Sequence, residues 1–222
     1  MNREILSKRE YQRYIKRHAS LSRGVSSRLL HRLASHYCTT LRRAKESRHA
    51  RRITPYCGTF AIDEALAFAP TLKRLPRWVV IINLQHAKHY HSERHIGRNR
   101  PSSGHFVCVR ASGQKITYVD PNGGHPSTEP DIVAFIQKSR PSLKSLAYND
   151  MPVQRKGSVL CGMYALLYVL QVAGSHNAAH GCDHSYSAPS FFPLRPNDSL
   201  AQRAKKGDMN DRLCLKYVKN MV

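Results

Sequence analysis

Short apolar runs in the middle of the chain have the length and composition of β-strands. Residues 78–84 are apolar almost throughout, which is typical of a strand buried on both faces. Residues 105–111 and 115–120 follow as two further strands, and residues 112–114 between them form a hairpin-length turn with a glycine at its centre. Residues 143–148 are predicted to form another strand.

Longer segments show helical patterns. Residues 161–172 are apolar on every face, which predicts a helix buried in the core. Residues 131–138 and 211–219 also have helical spacing, and a short helix is predicted within residues 5–15. Strands and helices together predict an α+β fold, in which a mixed central sheet packs on a buried helix headed by Cys161.

The first quarter of the chain is basic. The net charge is +22, and residues 1–52 hold 15 Lys and Arg against three Asp and Glu. One apolar stripe runs along this segment at spacings typical of a helix: Val25, Leu29, Leu30, Leu33, Tyr37 and Leu41. We therefore divide the chain into a basic, helical N-terminal extension (1–52) and a main domain (53–222). The extension could be a helical arm packed on the main domain, a nucleic-acid-binding arm or an organelle transit peptide.

The sequence also indicates in which compartment the protein is expected. No secretory signal begins the sequence and no stretch of 18 apolar residues occurs, so we expect a protein that is not secreted and does not enter a membrane. The six cysteines are widely spaced and form no C-x-x-C pair, which argues against a zinc ribbon. Free thiols are expected in a reducing compartment, and one of them can be reactive.

Four residues form a constellation with the chemistry of acyl transfer. His105 opens one predicted strand, Asp120 closes its hairpin partner, and Cys161 heads the buried helix. A helix N-terminus favours a thiolate, an imidazole takes the thiol proton, and a carboxylate holds the imidazole. Gln154, seven residues before the cysteine, is the natural side-chain donor of an oxyanion hole, beside the backbone N–H of Cys161.

The order His, acid, Gln and Cys-Gly resembles cysteine proteases of the adenovirus-endopeptidase type, in the clan shared with ubiquitin-like-protein proteases. The seven-residue Gln-to-Cys step, with Ser158 three residues before the cysteine, is closer to the adenovirus branch. Residues 118–121 (YVDP) resemble that branch's strand ending in acid-proline. The similarity covers about residues 78–172, and a weaker similarity is present at residues 183–184. It does not extend to residues 1–52.

The chain also departs from this family. Phe106 stands where the family has tryptophan after the histidine, and the acid is Asp, as in the cellular branch, where the adenovirus enzyme has Glu. The adenovirus enzyme is activated by a disulfide-tethered viral peptide. Leu143 lies near the corresponding point, and no cysteine stands between Cys108 and Cys161, so this chain lacks the thiol for such a tether there.

The resemblance implies a cysteine endopeptidase that cleaves viral core or capsid precursors during virion maturation. It would act as a monomer in the virion and in the host nucleus or cytoplasm, on polypeptide substrates. The chemistry needs no cofactor, but the family uses DNA as an activator, and the basic charge fits non-specific nucleic-acid binding.

Other interpretations stay open. The chain could be a ubiquitin-like-protein protease, or a basic DNA-packaging protein on an inactive protease scaffold. The spacing of His86, His89, His91 and His95 could hold a metal, as could Cys182 with His180 and His184. Because 13 histidines make chance clusters easy, we assign no metal site.

Overall fold

A five-stranded mixed sheet forms the centre of the computed structural model, which describes residues 27–43, 54–87, 104–174, 195 and 197–220. The strands follow one another in chain order across the sheet. They are β1 Tyr56–Ala61, β2 Arg77–Asn83, β3 Phe106–Ser112, β4 Lys115–Val119 and β5 Ser145–Tyr148. The helices are α1 Ser27–Arg43, α2 Ile62–Leu72, α3 Pro130–Ser139, α4 Cys161–Gly174 and α5 Leu200–Asn220, with a 3₁₀ turn at Pro126–Thr128. The predicted α+β class is confirmed.

The central strands are antiparallel and the outer strands are parallel to their neighbours. β2, β3 and β4 pair antiparallel, whereas β1 pairs with β2 and β4 with β5 in parallel. The predicted β3–β4 hairpin is present, and Gly113 occupies its turn with a φ of +61°, a conformation that favours glycine. This hairpin places the start of β3 beside the end of β4.

Helices cover both faces of the sheet. Alternate residues of β2 and β3 point to opposite sides, as the period of a strand requires. Val79, Ile81 and Cys108 pack with α1 and α4, whereas Val80 and Val109 pack with α2 and α3. The runs that are apolar throughout are thus strands with two buried faces, as predicted for residues 78–84.

β1 and α2 were not predicted from the sequence. β1 contains glycine and only two of its six residues are buried, so it lacks a clear alternation. α2 is short and has an internal proline, Pro70, although the Glu64 side chain caps its start by accepting from the Ala61 backbone N–H at 2.9 Å. The last helix begins at Leu200, earlier than the predicted residue 211.

The basic helix α1 is part of the core. Leu30, Leu33 and Ala34 are buried among residues of α4 and the sheet. A side chain at Gly162, the second residue of α4, would press on Leu30 and Phe106. Of the possibilities for this segment, a helix packed on the main domain describes residues 27–43. Val25, the predicted helix at 5–15 and the 52/53 boundary lie outside the described residues.

Among the described helices, none is both long enough and apolar enough to cross a membrane.

Truncating Leu30 tests whether α1 is structural. We expect Leu30→Ala to lower the free energy of unfolding by about 2–5 kcal/mol, because the side chain is fully buried. Leu200→Ala is a matched control, since Leu200 is 84% exposed and its removal should change stability by less than about 0.5 kcal/mol. Urea denaturation followed by circular dichroism measures both. Equal, small effects would mean that α1 is not docked on the core.

Candidate active site

The β3–β4 hairpin brings His105 and Asp120 together. His105 immediately precedes β3 and Asp120 immediately follows β4, and these ends adjoin because the strands are antiparallel. The imidazole Nε2 lies 2.6 Å from Asp120 Oδ1, a short hydrogen bond in which the ring nitrogen donates to the carboxylate. The ring's other nitrogen, Nδ1, is left to interact with a different group.

A loop after β4 holds the Asp120 carboxylate in place. The Asn122 backbone N–H donates to Oδ1 at 2.7 Å and the Gly124 N–H donates to Oδ2 at 3.1 Å. The Asn149 side chain fixes the backbone of Asp120 from the neighbouring segment, accepting from its N–H at 2.8 Å and donating to its carbonyl at 2.5 Å. A Cβ at Gly124 would collide with the carboxylate, so glycine is required there. The acid is 5% exposed and tightly oriented.

Cys161 heads α4 next to the histidine. Its Sγ lies 3.9 Å from the carbonyl oxygen of Gly104, the residue before His105. Gly104 has a φ of +47°, and a side chain there would strike Asn83. Both the backbone conformation at this position and the close packing of Gly104 against Asn83 therefore depend on glycine. The first N–H groups of a helix have no intrahelical acceptor. The Cys161 N–H is therefore positioned to donate to an oxyanion that forms on a bound carbonyl.

The electrostatics favour a protonated imidazole. Burial opposes the charge of His105, but the hydrogen bond to Asp120 and the interaction with the Cys161 thiol outweigh it and raise the imidazole pKa from 6.5 to about 9. Asp120 and Cys161 thus both act on one ring. A carboxylate and a thiol beside one imidazole are the side chains that nucleophilic cysteine chemistry uses.

Other cysteines in the described part of the chain have different surroundings. Burial raises the pKa of Cys38 to about 12 and that of Cys57 to about 11, and it also raises the pKa of Cys108 and Cys214. Thiols in such surroundings are protonated at neutral pH and react slowly. Cys161 is the described cysteine that has an imidazole beside it.

Gln154 lies in the loop that precedes α4 and is 3% exposed. Its Nε2 donates to the Ser158 carbonyl at 2.5 Å, and its Oε1 is buried with no hydrogen-bond partner among the described residues. A side-chain amide carries two N–H donors, so one remains after the bond to Ser158. The structure thus brings together His105, Asp120 and Cys161, and it uses one Gln154 donor to fold the loop.

Two asparagines of the site were not predicted. The Asn122 side-chain nitrogen lies 3.3 Å from Nδ1 and 3.4 Å from Nε2 of His105, and Asn149 supports the acid. The residues PNGG after Asp120 indicated only a turn, because an asparagine in such a loop usually stabilises the backbone of the turn itself. Asn149 carries no local pattern, since its partner lies 29 positions away.

The predicted histidine cluster is only partly within the described residues. His86 pairs with Asp131 Oδ2 at 3.4 Å, whereas His89, His91 and His95 lie outside the described residues, as do His180, Cys182 and His184. No group of three or more metal-binding side chains occurs in the part of the chain that the structure describes.

No family model matches the chain, and no curated protein matches its sequence. Solved structures with some similarity include the central domain of the uncharacterized Lpg1148 protein from Legionella pneumophila, at 13% identity and a TM-score of 0.40, covering 89% of this chain and 96% of that one. A structure of AvrA with IP6 and CoA is 12% identical at a TM-score of 0.43, covering 96% of this chain and 82% of that one.

Removing the charge of Asp120 tests the origin of the raised pKa. Asp120→Asn should lower the pKa of His105 markedly, because the largest favourable interaction of its imidazolium is removed. NMR titration of the imidazole proton resonances measures this. Asp131→Asn, beside His86, is the control and should leave His105 unchanged. An unchanged His105 pKa in Asp120→Asn would show that another group sets it.

Stability should depend on the same proton. Because the folded pKa of about 9 lies above 6.5, the protonated ring stabilises the fold fully below about pH 6.5, and this contribution is lost as the pH rises through about 9. The melting temperature of wild type should therefore fall between pH 7 and 9 more than that of His105→Ala. Parallel curves for the two proteins would contradict the shift.

Proposed function

We propose that the chain is a cysteine endopeptidase with Cys161 as nucleophile, His105 as base and acid, Asp120 as the orienting carboxylate and Gln154 as an oxyanion donor. The observation that carries the proposal is the 2.6 Å bond between His105 and a buried carboxylate, with a helix-heading thiol whose Sγ lies 3.9 Å from the carbonyl oxygen of the adjacent Gly104. The thiol, the imidazole and the carboxylate each have a defined role in acyl transfer to cysteine.

The reaction follows from these positions. The Cys161 thiolate attacks the scissile carbonyl carbon, and the charge that develops on oxygen is stabilised by the Cys161 N–H and the Gln154 amide. Collapse breaks the C–N bond as the His105 imidazolium gives its proton to the leaving amine, leaving a thioester. His105 then takes a proton from water, whose oxygen attacks the thioester and releases the carboxylate product and the thiolate.

The proposed substrates are viral structural precursors cut during virion maturation in the host cell. This rests on the resemblance to the adenovirus branch. The test is to incubate the protein with candidate core and capsid precursors, with and without DNA, beside a ubiquitin-like fusion, and to sequence the new termini. Cleavage of precursors alone supports the proposal. Cleavage of the fusion alone favours a ubiquitin-like-protein protease, and cleavage of neither favours an inactive scaffold.

Replacing the nucleophile gives the simplest functional test. Cys161→Ala should abolish turnover and leave the fold intact, because one small buried side chain replaces another. Iodoacetamide should label Cys161 faster than Cys38 or Cys108, and His105→Ala should slow that labelling, since the thiolate fraction sets the rate. Cys108→Ala is the control variant. Turnover that survives in purified Cys161→Ala protein would refute the assignment.

We further propose that duplex DNA binds the protein without sequence preference, through the basic N-terminal extension, and stimulates cleavage. Because α1 packs on the core, deletion of residues 1–52 would disturb folding as well as DNA binding. Changing only the basic residues before α1 to glutamine avoids this: Arg3, Lys8, Arg9, Arg13, Lys16, Arg17 and Arg23.

Every phosphate that the variant no longer neutralises should reduce the slope of log K against log salt by about 0.9 in magnitude. Fluorescence anisotropy with labelled duplex DNA measures the slope. The glutamine variant should bind more weakly with a flatter slope, and its free energy of unfolding should match that of wild type. The same affinity and slope as wild type would contradict a DNA site in the segment before α1.

A further inference from the structure

The loop that carries Gln154 is held between the segment after Asp120 and helix α5. On one side the backbone N–H groups of Val153 and Gln154 both donate to the Pro121 carbonyl, at 2.9 and 3.0 Å. Pro121 directly follows Asp120, so this pair of bonds ties the loop to the catalytic acid. Farther along, the loop borders a cavity of about 430 Å³ between residues 155–160 and α5. The atoms that line this cavity have no packing partners on that side.

The opposite side of the loop is held by α5. The Asn210 Nδ2 donates to the Val153 carbonyl at 2.7 Å, and Asn210 is fully buried in the middle of a helix that is otherwise largely polar and exposed. A buried asparagine is costly unless its amide is bonded. The bond that its Nδ2 donates goes to the residue immediately before Gln154.

Other contacts bring α5 close to the same region. The Tyr164 hydroxyl, one turn beyond Cys161 on α4, donates to Asp211 Oδ1 at 2.8 Å. Gly207 lies against the Arg155 backbone and Cβ, where a side chain would clash. Arg155 and Asp208 form an ion pair at 3.2 Å, but both side chains are about half exposed, so this pair contributes little. The buried bond from Asn210 is the hydrogen bond by which α5 holds the loop at the residue before Gln154.

We infer that Asn210 is a positioning residue, which sets the Gln154 amide for oxyanion stabilisation by holding the Val153 carbonyl from α5. The inference rests on the proposed function. α5 lies some fifty residues beyond Gln154 in sequence, so the position of the oxyanion donor would depend on the last helix of the main domain. Cleavage or displacement of α5 would then lower the reaction rate without touching the thiol, the imidazole or the acid.

Two probes of Cys161 separate oxyanion stabilisation from thiol reactivity. Acylation by p-nitrophenyl acetate passes through a tetrahedral oxyanion, whereas alkylation by iodoacetamide does not. Gln154→Ala should therefore slow acylation by about 10²–10³-fold and leave alkylation unchanged. Asn210→Ala should slow acylation by about tenfold, the equivalent of one hydrogen bond, again with unchanged alkylation. With a peptide substrate, kcat should fall and KM should stay constant.

Coupling between the two residues completes the test. The double variant Gln154→Ala/Asn210→Ala should acylate no more slowly than Gln154→Ala alone, because Asn210 acts through Gln154. Asn210→Asp, which keeps the volume but replaces the donor with an acceptor, should behave like Asn210→Ala and guards against a packing defect. Asp208→Asn is the control on the same helix and should match wild type, since it disturbs only the exposed ion pair.

An acylation-to-alkylation ratio that is unchanged in both Asn210 variants, or rate reductions that multiply in the double variant, would overturn the inference. Failure of the proposed function looks different: Cys161 of wild type would not be labelled selectively, or Gln154→Ala would leave the ratio unchanged.

Discussion

A nearly buried carboxylate paired with an imidazole is the constraint on which the site depends. Removing a charged carboxylate from water is costly unless a cation and hydrogen-bond donors replace the solvent. Asp120 obtains them from His105 and from two backbone N–H groups of the loop that follows. The hairpin register, the glycine at position 124 and the support from Asn149 all serve this one requirement. A shift of one residue between β3 and β4 would separate the acid from the ring.

The nucleophile depends on the core in a similar way. α4 is buried, so Cys161 at its first position is fixed with respect to the sheet that carries His105. Part of that burial comes from α1, whose Leu30 packs beside Gly162. The basic N-terminal segment therefore helps to hold the helix that carries Cys161, and it also supplies much of the positive charge of the protein.

What the sequence could predict follows from how local each pattern is. The apolar runs of β2, β3 and α4 and the glycine turn between β3 and β4 identified the sheet, the buried helix and the meeting of His105 with Asp120. β1 and α2 have mixed patterns and escaped detection. Asn149 and Asn210 act through partners 29 and 57 positions away, and no local spacing encodes such contacts. Gln154 was predicted as a donor, but its bond to Ser158 depends on a loop conformation that sequence does not specify.

Trapping the acyl-enzyme tests the central claim most directly. Wild-type protein mixed with an activated ester, quenched in acid and digested, should give one peptide whose mass is increased by the acyl group, and fragmentation should place that group on Cys161. The adduct should be absent from Cys161→Ala and present in Cys182→Ala. An acyl group on Cys182 or on a hydroxyl side chain, or ester turnover with no covalent adduct, would contradict the account.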